Sequence, residues 1–168
     1  MVIFLITPFN LLTGVMKAQA VVQLLEYPTA GQVLINELMW PGSIPNGPSD
    51  EWVELKNTTG GDLNLGLCYL TKNTDGQADV TMVSLPQGAI ITAGGYYLIS
   101  NFAESSSAIN IAPNLVDNSL TLDNNNLLIK LYCPPEAVVG TVGEFDILID
   151  IAGDGSAPLA GSNDTIKK

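Results

Sequence analysis

At 168 residues the chain is long enough for one domain with a real core, and 46% hydrophobic against 14% charged residues fits a folded, β-rich protein rather than a disordered one. Its 17 acidic residues face 6 lysines, with no Arg and no His, for a net charge of −11. Proteins that neutralise phosphates need Lys and Arg, so this balance argues against direct nucleic-acid binding, and lack of His removes the commonest general base and metal ligand.

Residues 2–16 form an apolar run broken by Pro8 and Gly14, followed by Ala18 and Ala20 in the small-x-small spacing that signal peptidase prefers. This predicts a secretory signal over residues 1–20, cleaved after Ala20, although no Lys or Arg precedes the run. The run is too short and too interrupted for a membrane span, so none is expected after cleavage; a buried N-terminal strand is the competing reading. A secreted or cell-surface location follows as the expectation.

Residues 21–30 read as a lead-in. Residues 33–40 then form a first strand, and the loop over 41–49 is rich in Pro and Gly. Residues 51–57 alternate apolar Val53 and Leu55 with Glu54 and Lys56, the period of a half-buried strand. Thr58-Thr59-Gly60-Gly61 supplies a turn, 63–70 a third strand and 80–85 a fourth. A short strand over 89–92 turns through Ala93-Gly94-Gly95 into the β-prone run 96–100. Residues 103–118 read as a long loop holding short strands, 120–122 as a brief strand and 123–126 as a turn. Residues 127–132 alternate until Pro134-Pro135 removes two ladder donors, and the last strands fall at 138–142 and 145–151. No helical period persists, and short strands at this spacing predict an all-β sandwich or barrel.

The runs V-L-I-N-E-L, D-E-W-V-E-L-K-N, L-N-L-G-L, I-T-A-G-G-Y-Y-L-I and N-N-L-L-I-K-L-Y, in that order, resemble the lamin tail domain, most closely its bacterial secreted members. The resemblance spans residues 31–161 and implies an immunoglobulin-like antiparallel β-sandwich that is not an enzyme, within a domain taken as 31–168. Two departures stand out. Leu67 occupies a position where the family usually has Trp, so a smaller side chain is expected at that core position. The closing A-G-S-N-D-T-I-K-K resembles the start of the family's last segment, after which more sequence is expected.

Several residues are candidates for binding. Asn36, Glu37, Glu54 and Asn57 sit at matched family positions and could form a polar patch that binds a ligand or partner; separately, Trp40, Trp52, Tyr96 and Tyr97 could line a carbohydrate- or partner-binding face. The plainer reading makes Asn57 a cap for the turn after it, leaves the glutamates in solvent, and packs the aromatics across the sheet. The acidic groups Asp50/Glu51, Asp117/Asp123 and Asp146/Asp150/Asp154 offer oxygens for Ca²⁺, with Asp154 the best single candidate, but none has the spacing of a calcium loop and a turn Asp explains Asp154 equally well. No cofactor is expected. Cys68 and Cys133 either form one disulfide, as an oxidising compartment would allow, or remain two buried thiols, since Cys68 has outward parity and Cys133 shares the parity of Ile129 and Leu131.

The expected role is a non-catalytic exported module that binds or tethers a protein or cell-envelope component at the cell surface. The alternative is an accessory or targeting domain of a larger secreted hydrolase or nuclease. Hydrolysis by the chain itself would need a carboxylate pair such as Asp146 and Asp150, which four residues of strand would set well apart on one face.

Overall fold

The computed structural model describes residues 25–43, 50–73, 78–135 and 146–159. The expected signal (1–20), the strand over 138–142 and the closing segment over 160–168 lie outside the described residues. Among the described residues ten strands follow one another: β1 (Val33–Met39), β2 (Trp52–Asn57), β3 (Leu63–Asn64), β4 (Tyr69–Lys72), β5 (Val80–Ser84), β6 (Ile90–Ile91), β7 (Tyr96–Ser100), β8 (Leu115–Val116), β9 (Leu127–Cys133) and β10 (Ile147–Ser156). Glu104–Ser106 forms one turn of 3-10 helix. β1-β2-β7-β8 make one sheet and β10-β9-β4-β5 another, while β3 pairs with β6. The pairing is antiparallel except between β7 and β8, which run parallel.

Period-2 patterning explains how the sheets meet. β2 buries Val53, Leu55 and Asn57 and turns Trp52, Glu54 and Lys56 outward; β9 buries Leu127, Ile129, Leu131 and Cys133 and turns Leu128, Lys130 and Tyr132 outward. Val33, Val53, Leu55, Tyr97 and Ile99 of the first sheet share one core with Leu70, Val83, Ile129, Leu131 and Ile149 of the second. Burying each large aliphatic side chain contributes about 2 kcal/mol, so the two apolar faces hold the layers together.

The structure corrects several expectations. The strand expected over 63–70 is two strands, split at Gly66-Leu67 because Leu67 has φ +67° and the Cys68 amide turns back to the Leu65 carbonyl at 3.0 Å. Leu67 is therefore not a reduced core residue: it is 44% exposed, in a left-handed conformation that costs a bulky residue about 1–2 kcal/mol. Leu120 and Leu122 are buried, but no strand forms there. The Leu122 amide donates to the distant Glu51 carboxylate at 2.8 Å and the Leu120 amide to the Asp117 carbonyl, three residues back, at 3.1 Å, so these partners replace a ladder. β1 carries a bulge between Ile35 and Glu37, and β10 carries bulges after Leu148 and after Gly153. Gly153 is obligatory: a Cβ there would lie 2.1 Å from the Leu127 carbonyl oxygen.

Two features tie the sandwich together. Asn57 is fully buried, and its Nδ2 donates to the carbonyls of Gly61 (2.8 Å), Thr92 (3.0 Å) and Ile91 (3.3 Å), while its Oδ1 accepts from the Thr59 amide and hydroxyl, each at 2.8 Å. Cys68 and Cys133, one step beyond the Tyr69–Tyr132 pair of β4 and β9, are joined by a disulfide, and both are fully buried. Asn57→Ala should lower stability by about 3 kcal/mol, because it strands buried carbonyls and an amide, and Asn57→Asp should cost at least as much despite equal volume. Urea unfolding of both variants checks this; a cost under about 1 kcal/mol for each would show the network to be dispensable. Since the linked cysteines lie 65 residues apart, reduction should cost about 4 kcal/mol, read as the difference between urea transitions with and without reductant.

Candidate functional site

The outward row of β2 brings several sequence candidates to one face. Glu37 pairs across the strands with Glu54, and Met39 with Trp52. The bulge in β1 lets exposed Asn36 reach the same face, where its Nδ2 donates to Glu54 Oε1 at 2.7 Å. Two carboxylates placed opposite each other repel, so the Asn36 amide offsets part of the cost of holding Glu54 there. Lys56, next along the row, lies 5.2 Å from the centre of the Tyr96 ring, a cation–π contact that occupies the cation on the tyrosine. On β7 the row ends in Leu98 and Ser100, both buried, so the accessible face narrows to β1 and β2.

Other candidates go elsewhere. Trp40 is partly buried and packs against the core, apart from the outward row of Trp52. Tyr97 is buried in the core, and burial pushes its phenol pKa up. The acidic groups are dispersed by their hydrogen bonds. Asp50 is buried, with Oδ2 accepting from Ser43 and from the Ala108 amide at 2.9 Å. Asp117 and Asp123 accept from amides two residues on, as turn carboxylates do. Asp150 accepts the Ile35 amide of β1 at 2.7 Å, and Asp146 accepts the Tyr69 hydroxyl at 2.8 Å. The bulge after Leu148 thus separates Asp146 and Asp150, which do not share a strand face. Asp154 is exposed and accepts the Ser156 amide at 2.9 Å; this and the Ser156 hydroxyl lower its pKa, the behaviour of a turn Asp. Among the described residues no three His, Cys, Asp or Glu side chains converge on a metal position.

The outer face of the second sheet holds a cluster that sequence reasoning missed. Tyr69 and Tyr132 are cross-strand partners with ring centres 5.5 Å apart and planes inclined by 19°. Their hydroxyls donate to Asp146 (2.8 Å) and Asp79 (3.2 Å), and Lys130 Nζ sits 2.7 Å from the same Asp79 oxygen. Tyr69, Tyr132, Asp79 and Asp146, together with Thr71 and Thr81, line an open recess of about 250 Å³. The Lys130 hydrogen bond lowers the Asp79 pKa, and the Asp79 partner raises that of Lys130. Burial, then the Asp146 carboxylate, pushes the Tyr69 phenol upward, and burial does most to raise Tyr132. The one local signal was outward parity: Lys130 and Tyr132 alternate with buried Ile129 and Leu131.

A β-sandwich of two mainly antiparallel sheets, with its chemistry on polar outer faces, defines the class: an immunoglobulin-like module. The model of one family, the Lamin Tail Domain, matches residues 27–146, and the chain belongs to that family. Lamin tail domains are immunoglobulin-like, non-enzymatic modules of a protein-interaction type. A comparison with curated proteins finds no match to the chain. The family match ends at Asp146, one residue before β10 begins.

The Asp79–Lys130 pair sets a pH dependence. A depressed Asp79 stabilises the fold above the unfolded carboxylate pKa and loses that contribution as pH falls through its folded value. A raised Lys130 contributes below the unfolded lysine pKa and loses it as pH rises through its folded value. Both partners are about one-fifth exposed, with side-chain accessibilities of 23% and 22%, so the pair is worth at most about 1 kcal/mol near neutrality. Lys130→Met should cost that much at neutral pH, and the difference from wild type should vanish below the carboxylate range; urea titrations at several pH values test it.

Proposed function

We propose that this chain is an exported, non-catalytic module that binds or tethers a protein or cell-envelope component at the cell surface. The observation that carries the reading is the outer face of β1 and β2, where half-buried Trp52 shares a surface with Asn36, Glu37 and Glu54. An indole flanked by carboxylates gives a partner both an apolar anchor and directional acceptors. Family membership supports an interaction role. Export is supported by the Ala18/Ala20 spacing after an apolar run, and by a disulfide of the sort that oxidising compartments retain.

Fractionation of cells producing the full chain, with mass spectrometry and cross-linking, tests both halves of the proposal. A form beginning at Val21 in the extracytoplasmic fraction, cross-linked to envelope protein, is the expected outcome. Trp52→Ala combined with Glu54→Lys should cut the captured fraction roughly tenfold without moving the thermal transition by more than a few degrees. An unprocessed cytoplasmic chain would refute export, and undiminished capture by the double variant would refute the β1–β2 face.

A further inference from the structure

The recess between Tyr69 and Tyr132 lies on the opposite outer face of the sandwich from Trp52 and Glu54, and its chemistry differs. Both phenol protons are committed, one to Asp146 and one to Asp79, so the two phenol oxygens present lone pairs outward rather than donors. The carboxylates are acceptors only. Thr71 is 3% exposed and its buried hydroxyl has no hydrogen-bond partner, which adds unused capacity beneath the recess. The lining is thus rich in acceptors and acidic.

Charge is unevenly answered across the tyrosine stack. On one side Asp79 is neutralised by Lys130 at 2.7 Å, the one ion pair among the described residues. On the other side Asp146 holds, among the described residues, only the Tyr69 hydroxyl, and the remaining described lysines are engaged elsewhere, Lys56 over Tyr96 and Lys72 on the Thr121 hydroxyl. Lys130 therefore displays, within the chain, the arrangement that the Asp146 side repeats: a carboxylate held by a tyrosine hydroxyl, beside the electron-rich ring.

We propose that this recess receives a guanidinium or ammonium group, the side-chain end of an Arg or Lys on a partner protein. A cation supplies donors to the Asp146 carboxylate and to the phenol oxygens, which is the charge-assisted bonding the recess lacks on that side among the described residues. Anions are repelled by the Asp146 carboxylate, and the one nearby cation among the described residues, Lys130, is held by Asp79. A sugar ring is poorly served, because the tyrosines stack on each other instead of lying side by side as a platform. The size agrees: about 250 Å³ is below the usual range for a whole small-molecule site and suits one side-chain end. The chain's net charge of −11 and lack of Arg draw basic partners towards it.

Nα-acetyl-L-argininamide, whose one charge is the guanidinium, is the probe, and its neutral isostere Nα-acetyl-L-citrullinamide is the control. The readout is the aromatic NMR signals of the full chain at near-physiological salt, where diffuse attraction is screened. Saturable shifts of the Tyr69 and Tyr132 ring signals with argininamide, absent with citrullinamide, are expected. Asp146→Asn should weaken that binding roughly tenfold, the equivalent of one charge-assisted contact. Equal responses to the two probes in the wild-type chain would overturn the proposal, and so would shifts spread over the whole acidic surface or an affinity unchanged by Asp146→Asn.

Discussion

The arrangement depends first on one buried amide. Asn57, itself fully buried, ends β2 at a point where the turn at Gly61, the end of β6 and the approach to β7 converge, and each presents backbone groups to its side chain. A buried carbonyl without a donor costs more than most single apolar contacts supply, so these segments can meet only if something answers all of them together. Asn does so because its side chain carries two donors and an acceptor on one rigid plane. The Asn57 amide also donates to the Gly95 carbonyl at 2.9 Å, which holds the β6–β7 turn beside β2 and aligns β7 as its neighbour. From that junction the first sheet grows outward in both directions.

The second sheet is organised around the β4–β9 pair, where covalent and aromatic contacts succeed one another along the ladder. The disulfide lies at one end, the Tyr69–Tyr132 stack follows on the outer face, and Leu70 with Leu131 follows on the inner face. Inner residues build the core and outer residues build the recess, so one register decides both stability and surface chemistry. Sliding β4 by one residue would bury the tyrosines and expose Leu70.

Much of this fold was legible in the chain because its longest strands obey strict alternation. Trp52–Asn57 and Leu127–Cys133 match the period-2 rule position by position, and the ordered runs shared with the lamin tail domain indicated the sandwich. The misreadings arose where local pattern and tertiary bonding part company. Leu63, Leu65, Leu67 and Leu70 look like one strand, yet the Leu67 amide goes to the Leu85 carbonyl at 3.2 Å and the chain turns. Leu120 and Leu122 alternate correctly, but the Leu120 amide turns back to Asp117 and the Leu122 amide goes to Glu51, which no nearby sequence announces. The surface was less legible still. The Asn36–Glu54 contact needs a bulge, and the tyrosine stack needs strands 63 residues apart in exact cross-strand register, which composition does not encode.

The lacing between β1 and β10 has a bearing on self-association. Each is the edge strand of its sheet, and an uncovered edge of this length invites another chain to add a strand. Here the Ile35 amide, displaced by the bulge in β1, is held by the Asp150 carboxylate of β10, and the Gly31 amide donates to the Ile149 carbonyl at 3.0 Å. These bonds turn two free margins into one closed seam, and the bulges of β10 roughen what remains. At the far side β8 is only two residues long, which leaves β5, bulged at Met82 and with exposed Val80, Thr81 and Ser84, as the longer margin. Among the described residues, β5 is thus the longer sheet edge left to strand addition, whether fibrillar or by exchange between copies.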